Sequence, residues 1–272
     1  ADALEGNGKS VQADVSEDNP GFSSDLPSRR ETPWHAWVPI MTGCNNFCSY
    51  CIVPYVRGRE RDRVFDDIVD EVSRLREDGV REICLLGQNV NSFGRQRYGS
   101  PRFAELLRAV GETGIERIRF TSSHPKDLSP ETILAMAETP AVMPQLHLAV
   151  QSGSTRVLKA MNRHYSREDY LALTDQIKSA MPGIALSTDI IVGFPGETEE
   201  DFEQTLSLVK EVGFESAFTF IYSKRPGTPA AEIDDPTPRE VIQERFDRLA
   251  ELVAQQAFDA NQVEFGRTVE AL

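Results

Sequence analysis

Six short apolar segments alternate along most of the chain with longer segments in which apolar residues recur at helical spacing. The short segments have the length of buried strands, and the longer ones have the period of amphipathic helices. Such an alternation predicts a parallel sheet whose strands are connected by right-handed helical crossovers. Because a closed barrel of this kind needs eight units, we predict an α/β fold that forms an open, partial (β/α)6 barrel.

The boundaries of these elements follow from periodicity and from capping residues. Ser129 and Pro130 suit the start of one helix, and Gly79 suits the end of another. The strands are expected at residues 36–41, 82–86, 117–120, 145–150, 184–192 and 216–222. The helices are expected at residues 64–79, 103–110, 130–138, 154–161, 167–180, 198–212 and 238–260.

The composition changes twice along the chain, which predicts three segments. Residues 1–33 are polar and lack apolar periodicity, so we interpret them as a flexible linker or the remnant of an absent N-terminal domain. A disordered N-terminus would explain the same composition. Residues 34–260 contain the predicted barrel, and in residues 261–272 three apolar residues alternate as in a new strand. We therefore expect a truncated β-domain to begin there.

The overall composition is that of a globular domain, with 40% hydrophobic and 26% charged residues in a chain of 272. No run of about 18 apolar residues occurs, so we predict no membrane span. The polar, acidic start does not resemble a secretory signal, and unpaired cysteines suit a reducing cytoplasm. The net charge of −14 argues against strong nucleic-acid binding by this chain alone.

Three of the four cysteines lie within eight residues, as Cys44, Cys48 and Cys51 in the spacing Cys-x3-Cys-x2-Cys. Three thiolates this close can hold three irons of a [4Fe–4S] cluster. The fourth iron then has no protein ligand, and an open coordination position is typical of a catalytic metal site. The spacing therefore predicts a [4Fe–4S] cluster that can bind a small molecule.

Two other interpretations of the cysteines are weaker. A zinc site needs a fourth Cys or His at short spacing, and His35 lies nine residues upstream on the segment that leads into the motif. A disulfide with a spare thiol is disfavoured by three cysteines so close together and by the absence of secretory features. Cys84 lies within an apolar strand and is predicted to be a core residue.

Polar or glycine-rich loops follow all six predicted strands. Functional groups in parallel α/β folds lie just past the carboxyl ends of the strands, so we expect these loops to form one cofactor and substrate mouth. After the cysteine loop, these loops are at residues 87–91, 121–125, 151–154, 193–198 and 224–229. Asp189 lies within the fifth strand, and Gly193 permits a tight turn beside a ligand.

Several basic residues near the mouth have two interpretations each. His124 precedes a proline and suits a turn as well as catalysis. Arg163 and His164 suit either a solvated loop or a basic group at the site. The alternating arginines after the cysteine loop suit a solvated face by default and contacts to phosphate otherwise; they are Arg57, Arg59, Arg61 and Arg63.

The cysteine spacing resembles the signature of the radical S-adenosylmethionine (SAM) enzymes. In that family the open iron is chelated by the amino and carboxylate groups of SAM, and an electron from the cluster cleaves SAM to a 5′-deoxyadenosyl radical. The resemblance implies a TIM-like partial barrel of the radical SAM type, with Tyr50 beside the adenine and Arg163 near the carboxylate of SAM. With the strand-end loops, the predicted cofactor-binding residues are Tyr50, Gly87, Gln88, Asn89, Ser123, Gln151, Ser152, Arg163, Asp189 and Gly193.

A narrower resemblance, from about residue 28 onward, is to the methylthiotransferases, and in particular to those that modify tRNA. The motifs that carry it are at residues 85–91, 120–125, 151–154, 193–198 and 222–231. The resemblance implies addition of a methylthio group to C2 of N6-isopentenyladenosine next to the tRNA anticodon. The branch that modifies an aspartate of a ribosomal protein is the alternative enzyme, and a non-catalytic iron–sulfur module is the alternative of another class.

The family mechanism uses two SAM molecules: one methylates sulfur on an auxiliary cluster, and the other yields the radical that abstracts hydrogen from adenine C2. In the family, three cysteines of an N-terminal domain hold that auxiliary cluster, and a C-terminal TRAM domain helps to bind RNA. We expect the second [4Fe–4S] cluster only in a full-length protein, since Cys84 alone cannot replace those cysteines. The implied partners are tRNA and a reductant protein such as flavodoxin.

Overall fold

The computed structural model describes residue 30, residues 32–263 and residues 265–268. Its strands are β1 (His35–Pro39), β2 (Met41–Thr42), β3 (Arg61–Asp62), β4 (Glu82–Leu86), β5 (Arg117–Phe120), β6 (Gln145–His147), β7 (Ala185–Val192) and β8 (Ser216–Ile221). Its α-helices are α1 (Val53–Arg57), α2 (Phe65–Glu77), α3 (Arg95–Tyr98), α4 (Phe103–Glu112), α5 (Pro130–Glu138), α6 (Thr155–Ala160), α7 (Arg167–Ala180), α8 (Glu199–Val212) and α9 (Arg239–Gln262).

Six parallel strands follow one another in chain order. One sheet has the order β1-β4-β5 and another the order β6-β7-β8, with every pairing parallel. Single parallel bridges, such as Ser123 with Leu148, connect the two sheets between β5 and β6. Among the described residues, no strand pairs with the outer edge of β1 or of β8. This arrangement confirms the predicted α/β fold with an open, partial barrel.

The core lies between the sheets and the helices that cover their outer faces. In β1, Ala36 and Val38 are buried, whereas Trp37 between them is 59% exposed on the opposite face. Helix α4 shows the matching pattern on its sheet-facing side, where Phe103 and Leu106 are buried. Apolar side chains at period two on the strands and at helical period on the helices therefore meet in one layer.

Side-chain caps fix the starts of the helices that follow β6 and β7. The Ser166 hydroxyl accepts a hydrogen bond from the backbone N–H of Asp169, whose carboxylate accepts one from the N–H of Ser166. Thr198 and Asp201 form the same reciprocal pair at the start of α8. Such capping boxes satisfy backbone donors that a helix leaves free at its first turn.

The predicted helices at residues 130–138 and 167–180 match α5 and α7 residue for residue. Sequence analysis did not predict α1, α3, β2 or β3, because segments of two to five residues are too short to show a period. The fourth strand is also shorter than predicted. The N–H of Val150 donates to the side-chain hydroxyl of Thr188 instead of to a backbone carbonyl of β7, which interrupts the ladder.

The three-segment division of the chain stays a prediction. Residues 1–29 and 31 lie outside the described residues. Helix α9 ends at Gln262, and the described residues after it, 263 and 265–268, contain a turn and no strand. None of the described helices combines the length and the apolar character needed to cross a membrane.

Candidate functional site

A cavity of about 680 Å³ opens at the carboxyl ends of the parallel strands. Its wall contains the three clustered cysteines and residues of the predicted loops at 87–91, 121–125 and 151–154, whereas no residue of the predicted loops at 193–198 and 224–229 lines it. Seven of the ten predicted cofactor-binding residues also line it: Tyr50, Gly87, Gln88, Ser123, Gln151, Arg163 and Asp189. The topology thus brings together residues that are more than 100 positions apart in the chain.

The three thiols of the motif all face this cavity. Cys44 and Cys48 are buried, Cys51 is half-buried, and none of the three forms a disulfide within the described chain. Burial raises the pKa of Cys44 to about 11 and also raises that of Cys51, so both thiols stay protonated until a metal binds. Among the described residues, no three Cys, His, Asp or Glu side chains close on a single metal ion. Thiolates around a cluster each bind a different iron, so they need not close on one ion.

The cysteine loop is fixed at its start by the segment just after α1. Gly43 has φ +77°, and a Cβ there would lie 2.0 Å from the carbonyl oxygen of Arg59, so only glycine fits. The N–H of Cys44 donates to the carbonyl oxygen of Gly58 at 3.2 Å. Asn45 and Glu60 exchange two backbone-to-side-chain hydrogen bonds of 3.3 Å. These contacts position the first thiol.

The end of α6 fixes the middle of the same loop. The N–H of Ser49 donates to the carbonyl oxygen of Met161 at 3.0 Å, and its hydroxyl donates to that of Ala160 at 2.8 Å. The side-chain amide of Asn162 donates to the carbonyl oxygens of Asn46 and Phe47. The end of α6 therefore fixes the position of the cysteine loop through these hydrogen bonds.

Strained backbone concentrates around the cavity. In the described part of the chain, five residues other than glycine have positive φ: Phe47, Ser122, Gln151, Asn162 and His164. Two of them line the cavity, one lies in the cysteine loop, and two flank Arg163. A left-handed conformation costs such residues about 1–2 kcal/mol each and persists only where surrounding contacts impose it. This clustering indicates a functional site.

Four buried polar atoms of cavity-lining residues have no hydrogen-bond partner among the described residues. They are Gln88 Oε1, Ser123 Oγ, His124 Nε2 and Gln151 Oε1. An unsatisfied buried polar atom costs about 1–3 kcal/mol, so four around one cavity indicate a polar ligand. His124 Nδ1 accepts a hydrogen bond from the N–H of Lys126, which leaves the ring proton on Nε2. Burial lowers the pKa of His124, so it is a neutral donor.

Three predicted residues lie behind the cavity wall. Asn89 is fully buried and donates from Nδ2 to Asp127 Oδ2 at 2.7 Å. Ser152 is also fully buried, and its hydroxyl accepts from the N–H of Ser154. Gly193 donates its N–H to Glu197 Oε2 at 2.8 Å. These residues shape the loops, and their direct contact with a cofactor stays a prediction.

Sequence analysis did not predict two cavity-lining residues that lie within strands, His147 and Phe218. His147 Nε2 lies 3.3 Å from Asp189 Oδ2, and the His147 and Phe218 rings are 6.0 Å apart. The rule that functional groups lie just past the carboxyl ends of strands does not find His147 and Phe218, because both residues lie within strands. The signal that could have found them is period two: Phe218 and Phe220 alternate with smaller residues in β8, as Trp37 does in β1. Asn46, in the cysteine loop, also lines the cavity.

The sequence profile of the radical SAM superfamily matches residues 38–209. The chain belongs to this superfamily. Membership implies a [4Fe–4S] cluster and SAM, and the residues present fit both. Three thiols converge on the cavity, and four orphaned polar atoms line the same wall.

Curated relatives cover nearly all of the chain. It is 54% identical over 263 residues to a tRNA-2-methylthio-N(6)-dimethylallyladenosine synthase of Streptomyces viridosporus, covering 96% of this chain and 52% of the relative. It is 56% identical over 253 residues to the synthase of the same name from Clostridium novyi, covering 93% and 56%. The chain thus spans about half the length of the curated relatives it matches.

Solved radical SAM structures share the fold at low sequence identity. The methyltransferase TsrM from Kitasatospora setae superposes with a TM-score of 0.60 at 17% identity, covering 72% of this chain and 38% of that one. Coproporphyrinogen III oxidase (HemN) from Escherichia coli gives a TM-score of 0.55 at 18% identity, covering 85% and 58%. These likenesses support the radical SAM barrel alone.

Proposed function

We propose that this chain is the SAM-cleaving core of a methylthiotransferase that modifies C2 of N6-isopentenyladenosine next to the tRNA anticodon. The observation that carries the proposal is 54% identity, over 96% of the chain, to a curated tRNA-2-methylthio-N(6)-dimethylallyladenosine synthase. The cavity with its three thiols is consistent with that chemistry. The full enzyme would also need a second [4Fe–4S] cluster and a reductant protein such as flavodoxin, and it would act in the cytoplasm.

The chain's own residues would hold the cofactors in defined roles. Cys44, Cys48 and Cys51 would each bind one iron of the cluster and leave the fourth iron open. The bound cluster and SAM supply one-electron chemistry, which an aromatic C–H requires because it has no acidic proton for a side-chain base to remove. Burial of Cys44 and Cys48 keeps water from the cluster thiolates.

The orphaned polar atoms would bind and orient SAM. Ser123 Oγ can donate or accept, His124 Nε2–H can only donate, and the oxygens of Gln88 and Gln151 can only accept. Donors suit a carboxylate and ribose oxygens, whereas acceptors suit an ammonium group and the exocyclic amine of adenine. Both kinds line one wall, which matches a zwitterionic nucleoside ligand such as SAM.

Phe218 would hold the substrate base. Its ring is 59% exposed and lines the same cavity as the three thiols. Stacking on aromatic rings is the usual way in which proteins hold single-stranded RNA bases. The exposed Arg57 lines the cavity as well and offers a positive charge to a phosphate despite the chain's net charge of −14.

Anaerobic reconstitution with iron and sulfide tests the cofactor part of this proposal. We expect about four irons per chain and an EPR spectrum of the reduced protein that changes when SAM is added. Zinc at the cysteines, or a cluster indifferent to SAM, would contradict the proposal. A cluster whose spectrum does not respond to SAM would identify the chain as a non-catalytic iron–sulfur module.

The substrate part requires the full-length enzyme. It is offered prenylated tRNA and, in a separate reaction, ribosomal protein under reducing conditions with SAM. Methylthiolation of the tRNA is the expected result, and unprenylated tRNA serves as the matched control. Modification of the ribosomal protein instead would identify the aspartate-modifying branch.

A further inference from the structure

Arg163 is one of three buried arginines in the described chain, and it is the one without an acidic partner. Arg63 forms an ion pair of 2.7 Å with Glu71, and Arg245 lies 2.8 Å from Glu199. Arg163 is 4% exposed, yet among the described residues no carboxylate lies within ion-pair distance of it. Burying a cation without a counter-charge is costly, so we expect the counter-charge of Arg163 to come from a bound group and not from a carboxylate of the described chain.

The guanidinium of Arg163 reaches the cysteine loop directly. Its Nη1 lies 3.5 Å from Cys48 Sγ and 3.4 Å from the hydroxyl of Tyr50. Its Nε donates to the hydroxyl of Tyr165 at 2.9 Å, and its Nη2 donates to the carbonyl oxygen of Ala149 at 2.5 Å. A guanidinium has five N–H donors, so these four contacts leave at most one for any other ligand.

The backbone holds Arg163 in this place from both sides. Asn162 and His164 both have φ of 60°, and the Asn162 side chain donates to two carbonyl oxygens of the cysteine loop. The N–H of Arg163 donates to the carbonyl oxygen of Leu158 at 3.0 Å. Two left-handed residues around one side chain indicate a position imposed by the surrounding contacts.

We propose that Arg163 is a positioning residue that donates a hydrogen bond to the Cys48 thiolate and raises the reduction potential of the cluster. This inference rests on the proposed ligation of iron by Cys44, Cys48 and Cys51. Reduction adds a negative charge to the cluster, and a buried cation 3.5 Å from one of its sulfurs stabilises the reduced form more than the oxidised form. Hydrogen bonds to cluster sulfurs act in the same direction.

This role differs from the one that the family resemblance implies, contact with the SAM carboxylate. The potential without SAM separates the two, because a residue that only binds SAM does not change it. Burial of Arg163 also predicts that the effect resists salt, since a buried charge is screened less than an exposed one.

The test is an EPR-monitored redox titration of the reconstituted chain without SAM, in wild type, Arg163→Gln and Arg163→Lys. Arg163→Gln removes the charge, so we expect the ratio of reduced to oxidised cluster at fixed potential to fall about tenfold, which is about 59 mV for one electron. Arg163→Lys keeps the positive charge but loses the planar guanidinium and its fixed N–H donors. The reduction potential of the cluster in this variant should therefore lie between those of the wild type and of Arg163→Gln. Arg81→Gln removes a cation whose side chain is 61% exposed and does not line the cavity, so it should leave the potential at the wild-type value.

Each outcome separates this inference from the proposed function. A wild-type chain that takes up no cluster contradicts the proposed function. A wild-type potential in both Arg163 variants, with iron content unchanged, overturns the role of Arg163 and leaves the proposed function standing. If Arg163→Gln fails to fold, Arg163→Lys alone decides: a lowered potential supports the role, and an unchanged potential overturns it.

Discussion

The side-chain amide of Asn162 donates a 3.0 Å hydrogen bond to the carbonyl oxygen of Phe47, which joins the turn after α6 to the cysteine loop. A second bond from the same amide reaches Asn46 at 3.2 Å. Residues 115 positions apart thus fix each other, and both Asn162 and Phe47 have positive φ. The relationship indicates that the cysteine loop depends on α6 for its shape.

The first prediction concerns this connection. Asn162→Gly removes both hydrogen bonds while keeping a residue that tolerates positive φ, so we expect a loss of about 1–2 kcal/mol in the free energy of unfolding. Asn162→Ala should lose about 1–2 kcal/mol more, because a Cβ is strained in that conformation. Denaturant unfolding of the apo chain measures both losses. Asn261→Ala, on the exposed surface of α9, is the control, and equal stability of all three variants would refute the connection.

The second prediction concerns the cluster ligands. Replacing Cys44, Cys48 or Cys51 by alanine should abolish the visible absorbance of the cluster and reduce the iron content from about four per chain to near zero. Cys84→Ala should retain the cluster, because Cys84 is a buried strand residue that does not line the cavity. Iron assay and absorbance after reconstitution measure the four variants. A full cluster in any of the first three, or its loss in Cys84→Ala, would assign the ligands differently.

The third prediction concerns substrate binding. In the full-length enzyme, Phe218→Ala should weaken binding of a prenylated anticodon stem-loop roughly 5- to 150-fold, since stacking a base on an aromatic ring contributes about 1–3 kcal/mol. Phe218→Tyr should bind normally. Phe258→Ala is a matched control, because Phe258 is 58% exposed on α9 and does not line the cavity. Equal dissociation constants for wild type and Phe218→Ala would exclude stacking on this ring.

The fourth prediction concerns the pH dependence of stability. Burial raises the pKa of Glu197 from an ordinary 4.5 to about 7, although the N–H of Gly193 and the charge of Arg245 oppose the rise. The negative charges of Asp201 and Glu199 also face this carboxyl group and raise its pKa further. Between pH 4.5 and pH 7, Glu197 is protonated in the folded chain and ionised in the unfolded chain. The stability that comes from the raised pKa of Glu197 is therefore fully present below pH 4.5, and it is lost as the pH rises through 7.

Glu197→Gln removes that titration, so the wild type should lose stability relative to this variant between pH 5 and pH 8. The relative loss should be on the order of 3 kcal/mol at most. Denaturant unfolding at both pH values gives the difference. Glu200→Gln, an exposed neighbour, should show no such change. An unchanged difference between pH 5 and pH 8 would mean that Glu197 is ionised throughout this range in the folded chain.

Local patterns predicted the parts of the fold that depend on neighbours in the chain. Helices α5 and α7 were predicted to the residue because their apolar residues repeat at helical spacing, and Ser129 also indicated the start of α5. The cysteine motif was found because its spacing is itself local. Whether its residues bind iron stays a prediction until the cluster is measured.

Long-range contacts were beyond the reach of the sequence. Nothing near Arg163 in the chain indicates that its guanidinium lies 3.5 Å from a thiol 115 residues away. Asn89, Ser152 and Gly193 were chosen by position after a strand, but a residue in such a loop can face the cavity or the core. Which of the two it faces depends on backbone conformation, as positive φ at Gln151 shows for a residue that does line the cavity.

The unpaired outer edges of β1 and β8 bear on how a large molecule can reach the cavity. Because no ladder hydrogen bonds join β1 to β8 in the part of the chain that the structure describes, the separation of these two strands can adjust to a bound molecule without breaking a strand pairing. The width of the barrel is therefore not fixed by a closed ring of hydrogen-bonded strands within the described residues.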